Sequence, residues 1–151
     1  MTMNKPTVCI KKLSPSAKMP TYGTPFSAGA DLYALPELGE ITVEAGQTFL
    51  IRTGLSAAIP EGYAGLVYAR SGLACKRGLA PANKVGVIDA DYRGEIMVAL
   101  HNHGETAVTL EAGERIAQLV ITPVLAPEFL ECEELDITLR GEGGFGSTGK
   151  L

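Results

Sequence analysis

The chain has 151 residues, of which 46% are hydrophobic and 20% are charged. This composition is typical of one folded globular domain with a sizeable core, and it argues against disorder. Thirteen basic and seventeen acidic residues give a net charge of −4, which argues against a general nucleic-acid surface and leaves room for a small polyanion only where basic groups gather. No stretch approaches the ~18 apolar residues of a membrane span, so we expect no membrane association.

Cysteine usage and the amino terminus predict the compartment. Cys9, Cys75 and Cys132 are odd in number and widely spaced, without a CxxC pair. We therefore expect free thiols rather than a disulfide framework or a zinc site. Residues 1–6 show no apolar run behind a basic start, which predicts no signal peptide. Together these features favour a cytoplasmic protein.

Short apolar runs separated by Gly and Pro turns dominate the chain. Strands are predicted, in chain order, around residues 8–10, 41–43, 48–53, 65–69, 96–100 and 115–122. Residues 73–77 are compatible with one or two helical turns, and nowhere do apolar residues hold a 3.6-residue period for three turns. The pattern predicts an all-β sandwich, jelly roll or barrel with at most one short helix.

One carboxylate, Asp31, lies inside the apolar run of residues 28–34. Because Ala30 and Leu32 flank it, we expect Asp31 to be partly buried, and a buried carboxylate needs polar partners. A structural hydrogen-bonding role and a chemical role are equally compatible with this position.

A candidate anion site follows the strand that ends near residue 69. Arg70, Ser71 and Gly72 combine a guanidinium, a hydroxyl and a glycine N–H where a short helix can begin. These groups suit an anion. The tripeptide is common by chance, however, so by itself it is weak evidence.

Two apolar runs, 85–88 and 96–100, surround a polar stretch. They are predicted as the two strands of a β-hairpin, since apolar side chains alternate along them. In the second strand, Ile96, Val98 and Leu100 are expected to share one face.

The tip of this predicted hairpin, within residues 86–95, carries Asp89, Asp91, Tyr92 and Arg93 between glycines. Rigid strands can hold such groups in fixed positions. The residues alone favour an ordinary polar tip, and they do not choose between the two carboxylates as a catalytic group.

His101 and His103 are two residues apart and therefore share one strand face. No third metal ligand is evident in the sequence around them. We therefore expect exposed histidines near a turn rather than a metal site.

Residues 140–151 include five glycines and no apolar face, which predicts a mobile tail. The spacing of residues 144–150 fits the G-x-x-x-x-G-K of a P-loop. Leu151 stands where that motif needs Ser or Thr, so the P-loop interpretation fails.

The tail nevertheless has the groups that a phosphate needs. Glycine N–H groups, the hydroxyls of Ser147 and Thr148, and the charges of Arg140 and Lys150 all favour an anion. Phe145, the lone aromatic residue of the tail, suits stacking on a base. The composition predicts a tail that becomes ordered over a phosphorylated, base-bearing ligand.

Five segments of the sequence, in order, resemble the five motifs of the trimeric dUTP diphosphatases (dUTPases). They are Ala28-Gly29-Ala30-Asp31-Leu32, Ala69-Arg70-Ser71-Gly72-Leu73, Asn83 with Gly86-Val87-Ile88-Asp89-Ala90-Asp91-Tyr92-Arg93-Gly94, Gly113-Glu114-Arg115-Ile116-Ala117-Gln118-Leu119, and Arg140-Gly141-Glu142-Gly143-Gly144-Phe145-Gly146-Ser147-Thr148-Gly149. One such motif is modest evidence, but five at suitable intervals cover nearly the whole chain.

The resemblance implies a fold, an assembly and a reaction. It implies a β jelly roll or distorted barrel over residues 1–139 and a mobile arm over 140–151, in a homotrimer whose shared sites are each completed by a neighbour's arm. The implied reaction is hydrolysis of dUTP to dUMP and diphosphate with Mg²⁺ on the triphosphate. It keeps uracil out of DNA and supplies dUMP for thymidylate synthesis.

Residue roles also follow from the resemblance. Asp89, rather than Asp91, would be the general base that activates the water attacking the α-phosphorus. Tyr92 would lie under the deoxyribose and leave no room for a 2′-hydroxyl. Asp31 would act through water near the metal or orient the site, because Mg²⁺ keeps several waters and binds mainly phosphate oxygens.

The remaining implied roles fall into three groups. The catalytic set is Asp89, Asp31, Gln118 and Ser71. The backbone groups expected to bind uracil belong to Asn83, Gly86, Val87, Ile88 and Met97. The phosphates would be bound by Arg70, Ser71, Gly72 and Gln118, with Arg140, Gly146, Ser147 and Thr148 of the arm at the γ-phosphate end and Phe145 covering the uracil.

Two other functions remain compatible with the sequence. One is a dCTP deaminase-like member of the same superfamily, against which the Phe145–Gly149 tail and the Asp89–Tyr92 segment argue. The other is a jelly-roll module that binds the nucleotide as a sensor or regulator. Ammonia release from dCTP would indicate the first, and nucleotide-dependent protein capture would indicate the second.

Overall fold

A computed structural model describes residues 5–144. Its strands are β1 Cys9–Lys12, β2 Thr21–Tyr22, β3 Ala30–Tyr33, β4 Ile41–Val43, β5 Thr48–Arg52, β6 Leu55–Ala58, β7 Tyr63–Tyr68, β8 Leu79–Pro81, β9 Gly86–Ile88, β10 Met97–Asn102, β11 Val108–Leu110 and β12 Arg115–Pro123. One α-helix, α1, spans Ser71–Arg77, and a 3₁₀ turn spans Pro36–Leu38. No helix of the described part is long and apolar enough to cross a membrane.

The strands form four antiparallel sheets. The largest has the order β2-β3-β12-β7-β9, a second has β5-β10-β8, and two pairs, β1-β6 and β11-β4, complete the set. The prediction of an all-β fold with at most one short α-helix is confirmed, and the arrangement agrees with a jelly roll. The sheets of the described residues remain open and do not close into a barrel.

A single apolar core lies between the sheets. Leu32, Ile51, Leu100 and Ile116 are among its fully buried side chains. Residues 96, 98 and 100 are all buried while Met97 is 42% exposed, so the predicted shared face of this strand is confirmed. Burial of the alternate side chains fixes which face of β10 is turned towards the core.

The predicted hairpin between residues 85–88 and 96–100 is wrong. β9 pairs with β7, whereas β10 pairs with β5 and β8, so the two strands lie in different sheets. The eight residues 89–96 cross from one sheet to the other. A connection of this length is outside the two to five residues that usually close a hairpin, and alternation identifies strands without identifying their partners.

The short helix occupies the place where helical turns are predicted. α1 begins at Ser71, directly after the extended Arg70, and ends at Arg77; the next residue, Gly78, has a left-handed φ of 70° and donates its N–H to the carbonyl of Ala74. Glycine adopts that conformation without strain, which explains why the helix stops there. Ser71 therefore lies on the first turn of the helix, immediately after the last residues of the β7 segment.

One buried amide ties the sheets together. Asn102 is fully buried at the end of β10. Its Nδ2 donates to the carbonyls of Val43 and Thr106, at 2.9 and 2.8 Å, and its Oδ1 accepts the N–H of Gly104 at 2.9 Å. Every polar atom of this side chain is thus satisfied inside the fold, as burial requires.

We expect Asn102→Ala to lower the free energy of unfolding by about 3 kcal/mol, because it leaves buried partner groups without hydrogen bonds. Thr109→Ala, which removes one hydroxyl of an exposed threonine pair with Thr42, should cost less than about 0.5 kcal/mol. Urea denaturation followed by circular dichroism measures both. Similar losses for the two variants would contradict this account of the buried amide.

Candidate functional site

A cleft of about 280 Å³ lies between β9 and the start of β10. Seven residues predicted for the site line it: Asn83, Gly86, Val87, Ile88, Asp89, Tyr92 and Met97. Its other walls come from Leu50, Val67, Pro81, Glu95, Ile96, Val98 and Ala99. Most of the lining residues are apolar, and Asn83, Asp89 and Glu95 add polar side chains, which is the usual make-up of a small-molecule site.

One wall of the cleft is the edge of a sheet. β9 is the last strand of the five-stranded sheet and, among residues 5–144, pairs only with β7. Its other side therefore carries backbone N–H and C=O groups that no neighbouring strand uses. Such groups are fixed in position by the β7 pairing and can bind a planar polar ligand.

The crossing segment 89–96 carries the ionisable groups of the cleft. A turn closed by the N–H of Tyr92 on the carbonyl of Asp89, at 3.2 Å, begins this segment. Asp89 lines the cleft, whereas Asp91 does not. The structure thus separates two carboxylates that the sequence leaves equivalent.

Glu95 anchors the far end of the crossing segment, and sequence reasoning missed it. Its carboxylate accepts the N–H of Gly54 at 2.7 Å and forms an ion pair with Nε of Arg52 at 2.9 Å. The side chain is only 14% exposed. Because its partners lie more than forty residues earlier in the chain, no local pattern in the sequence could have indicated them.

A second group of residues, which we call the cationic cluster, consists of Asp31, Arg70 and Arg115. Nε of Arg70 lies 2.7 Å from one carboxylate oxygen of Asp31, and Nη1 of Arg115 lies 3.1 Å from the other. Asp31 is 15% exposed, so the prediction of a partly buried, partnered carboxylate is confirmed. Two guanidiniums around one carboxylate leave a net positive charge that suits an anion.

A β-bulge brings Arg115 to this cluster. In the β3–β12 pairing, Arg115 is opposite Tyr33 and Gln118 is opposite Asp31, because the register shifts between residues 115 and 117. Tyr33 and Asp31 share one face of β3, so the bulge turns both β12 side chains to that face. Without it, residues 115 and 118 would face opposite ways, and for this reason sequence reasoning did not assign Arg115 a role.

Gln118 lies beside the cationic cluster and bonds to the segment before Arg70. Its Nε2 donates to the carbonyl of Ala69 at 2.8 Å. Gly29 passes so close that a Cβ there would lie 2.7 Å from the Gln118 Oε1 atom. Ser71 and Gly72 follow on α1 and are exposed. The structure therefore brings Asp31, Arg70, Ser71, Gly72 and Gln118 into one region.

Asp89 and the cationic cluster lie at opposite ends of β7. Ile88 pairs with Gly65, so the next residue, Asp89, lies level with residue 64, while Arg70 follows β7 six residues later. Six extended residues span about 20 Å. Within one chain, therefore, Asp89 and the cationic cluster do not meet.

The two histidines do not line the cleft. The rings of His101 and His103 are 4.5 Å apart in an edge-to-face arrangement, and Nδ1 of His101 is 2.9 Å from the hydroxyl of Thr48. Desolvation, together with the charges of His101 and Lys84, lowers the pKa of His103. Among residues 5–144, no group of three or more His, Cys, Asp and Glu side chains is placed to hold a metal ion.

The predicted arm is described only in part. Arg140 is exposed, and its Nε donates to the carbonyl of Gly143 at 2.7 Å, within its own turn. Phe145, Gly146, Ser147 and Thr148 lie outside the described residues. Their predicted roles therefore remain predictions.

This arrangement defines a class of protein. A cleft with a free strand edge, the carboxylates of Asp89 and Glu95 and the ring of Tyr92 suits a flat polar ring, and the cationic cluster suits the anionic part of a ligand. The molecule is thus an all-β protein built to bind a small anionic ligand with a ring. Comparison with known proteins gives the family within this class.

The dUTPase family model matches residues 15–149. The deoxyuridine 5'-triphosphate nucleotidohydrolase of Syntrophotalea carbinolica is 48% identical over 143 residues, covering 95% of this chain and 97% of the relative. The chain therefore belongs to the dUTPase family of hydrolases, whose members convert dUTP to dUMP and diphosphate.

Solved structures agree with this assignment. The Staphylococcus bacteriophage 80alpha dUTPase with dUpNHpp aligns with a TM-score of 0.87 and 33% identity, over 95% of this chain and 98% of the phage chain. A mutant dUTPase from phage phi11 of S. aureus, described with a structural Mg(II) ion, aligns with a TM-score of 0.77 and 27% identity, over 87% of this chain and 99% of its own.

We expect Gly29→Ala to weaken binding of dUpNHpp about tenfold, because the new methyl group displaces the Gln118 amide from the Ala69 carbonyl. Gly29 has no left-handed φ, so alanine adds no backbone strain. Titration calorimetry measures the affinity. Gly23→Ala is the matched control, since a Cβ at Gly23 meets only Ser27 Oγ, at 3.8 Å. Equal affinities for the two variants would show that the close contact between Gly29 and Gln118 does not affect ligand binding.

Proposed function

We propose that this chain hydrolyses dUTP with Asp89 as the general base in the cleft between β9 and β10. One observation carries the proposal: the cleft gathers seven residues of the third family motif and its surroundings, including Asp89 and Tyr92. Family membership supplies the reaction, and the cleft supplies a place for the nucleoside. Removing dUTP keeps uracil out of DNA, and the dUMP formed supports thymidylate synthesis.

Uracil binds along the free edge of β9. Backbone N–H and C=O groups from Asn83 to Ile88, together with those of Met97, face the donor and acceptor edge of the base. A base with the opposite pattern, such as cytosine, would leave buried polar groups unpaired, which costs far more than a lost contact. The paired strand β7 keeps these backbone groups from adjusting to the wrong base.

The chemical step is attack of water on the α-phosphorus. The water oxygen forms a new bond to phosphorus while the bond to the bridging oxygen breaks, and diphosphate leaves with that oxygen. The carboxylate of Asp89 accepts the proton that the water loses. The turn closed by Asp89 and Tyr92 holds the carboxylate in a fixed position, which lowers the entropic cost of aligning the water.

The phosphates bind at the cationic cluster of a neighbouring subunit. Arg70, Ser71, Gly72 and Gln118 supply donors and charge there. Asp31 would hold the Mg²⁺ of the triphosphate through water, because this ion keeps several waters and binds mainly phosphate oxygens.

Two features of the chain support a shared site in a homotrimer. About 20 Å of extended chain separates Asp89 from the cationic cluster within one chain, whereas base and phosphates belong to one ligand. In addition, Leu135, Ile137 and Leu139 alternate as in a strand but are 83 to 111% exposed. Such a row needs a partner surface, and another subunit provides one.

The arm, residues 140–151, completes the site of a neighbour and follows a core domain formed by residues 1–139. Arg140 and the Gly146–Thr148 segment bind the outer phosphates, and Phe145 covers the uracil. Closure of such an arm excludes water from the site, which strengthens the charge interactions inside it.

Cys9, Cys75 and Cys132 are all free and exposed, which supports a reducing, cytoplasmic setting.

We expect Asp89→Asn to lower the rate of diphosphate release from dUTP by about 10² to 10⁴-fold, because the amide cannot accept the proton. Binding of dUpNHpp should persist, since the shape of the side chain is kept. Asp91→Asn is the matched control, as it makes the same change outside the cleft, and it should retain nearly full activity.

The wild-type protein is assayed with dUTP, UTP, dCTP and dTTP in the presence of Mg²⁺. Diphosphate release from dUTP alone is the expected result. Full activity of Asp89→Asn would disprove its role as the base. Ammonia release from dCTP would instead indicate a deaminase.

We expect activity to return when two inactive chains are refolded together. One carries Asp89→Asn with an intact arm, and the other ends at residue 139 with an intact Asp89. If each site takes its arm from a neighbour, mixed trimers contain complete sites. Sedimentation confirms the assembly, and mixing Asp89→Asn with an Asp89→Asn chain that also lacks the arm is the control. No recovery in assembled mixtures would show that each chain builds its own site.

A further inference from the structure

The ring of Tyr92 lies directly against the backbone of Gly94. A Cβ added at Gly94 would lie 2.8 Å from Cε2 of the ring and closer still to Cζ and the hydroxyl oxygen. The same hydroxyl donates a hydrogen bond to the carbonyl of Glu95 at 3.0 Å. The ring therefore occupies the space that any other residue at position 94 would fill with its side chain.

The backbone at Gly94 cannot easily move away from the ring, because it is held on both sides. The carbonyl of Arg93 accepts the hydroxyl of Ser56 at 2.7 Å. On the other side, the carboxylate of Glu95 accepts the Gly54 N–H at 2.7 Å, and the Ile96 N–H donates to the carbonyl of Leu55, also at 2.7 Å. A clash at Gly94 would thus be relieved by the ring and not by the backbone.

The open side of the ring is the cleft. Tyr92 is 43% exposed and lines the cleft beside Asp89. A methyl group at position 94 would push the phenol off the backbone and into this space. The volume available to a bound ligand next to Asp89 consequently depends on the absence of a Cβ at Gly94.

We propose that Gly94 is a positioning residue that seats the Tyr92 ring against the backbone and so sets the room left for the sugar of the bound nucleotide. The inference rests on the proposed function, because it takes the nucleotide to bind in this cleft. Gly94 acts through Tyr92 alone, so a substitution at Gly94 should affect nucleotide binding only when the Tyr92 ring is present. Alanine is free of backbone strain there, since Gly94 has no left-handed φ.

The test is a double-mutant cycle of Gly94→Ala and Tyr92→Ala, with the KM for dUTP and the Kd for dUpNHpp measured for all four proteins. In the presence of Tyr92, Gly94→Ala should raise both constants at least tenfold and change kcat less than threefold. In the Tyr92→Ala background, the same substitution should change them less than twofold, because the ring it displaces is gone. Equal effects in both backgrounds would overturn the proposal.

Tyr92→Phe provides a second measurement in a protein whose fold is not at risk. It keeps the ring but removes the hydrogen bond to Glu95, so the ring is less firmly seated. The ratio of kcat/KM for UTP to that for dUTP should rise at least threefold, and an unchanged ratio would overturn the proposal. A wild-type protein that does not hydrolyse dUTP would disprove the proposed function instead, so the two failures are distinguishable.

Discussion

The pairing of β7 with both β12 and β9 sets the positions of Gly86 to Ile88, Arg70 and Gln118 relative to one another. Val67 is opposite Leu119 on one side and Gly86 on the other, so three strands share one register. Gly65 allows this close packing, because a Cβ there would lie 2.8 Å from Ile59 and 3.1 Å from Leu119. The strand therefore acts as a rigid spacer between Asp89 at one end and the cationic cluster at the other.

The cationic cluster concentrates positive charge at one place on an acidic protein. The chain is acidic overall, yet Arg70 and Arg115 converge on a single carboxylate. Because both guanidiniums remain partly exposed, the ion pairs add little to stability. They instead hold the Arg70 and Arg115 side chains in place before any ligand binds, so that less side-chain entropy is lost on binding. Local charge thus overrides net charge at this position.

Sequence alone predicted much of the secondary structure and little of the tertiary pairing. Alternation identified the β10 face with Val98 and Leu100 buried, since burial follows a period of two. It also suggested a hairpin that does not exist, because pairing depends on which distant edges are available. The burial and partnering of Asp31 were predictable from its apolar neighbours, but the identity of its partners was not.

Sequence reasoning missed Glu95, Arg115 and Gly29 because what places each of them leaves no local pattern in the sequence. Glu95 is held by strand residues more than forty positions away. Arg115 reaches Asp31 only because one extra residue in β12 reverses the direction of its side chain. Gly29 matters through the space that it leaves empty. Long-range contacts, single-residue register shifts and missing atoms leave no local pattern, whereas the motif resemblance had already marked the neighbourhoods in which they lie.

The two candidate regions, the cleft and the surroundings of the cationic cluster, use glycine in the same way. At Gly29 the missing side chain admits the Gln118 amide, and at Gly94 it admits the Tyr92 phenol. In each case a polar group of the admitted side chain then donates a hydrogen bond to a backbone carbonyl, from Gln118 to Ala69 and from Tyr92 to Glu95. Contact with a fixed backbone limits a long side chain to few rotamers, so its entropy is lost during folding and not during ligand binding. A carbonyl that belongs to a strand or an anchored turn is a more rigid acceptor than another side chain would be. Precise placement of Gln118 and Tyr92 therefore depends on what the sequence omits at two positions as much as on the residues themselves.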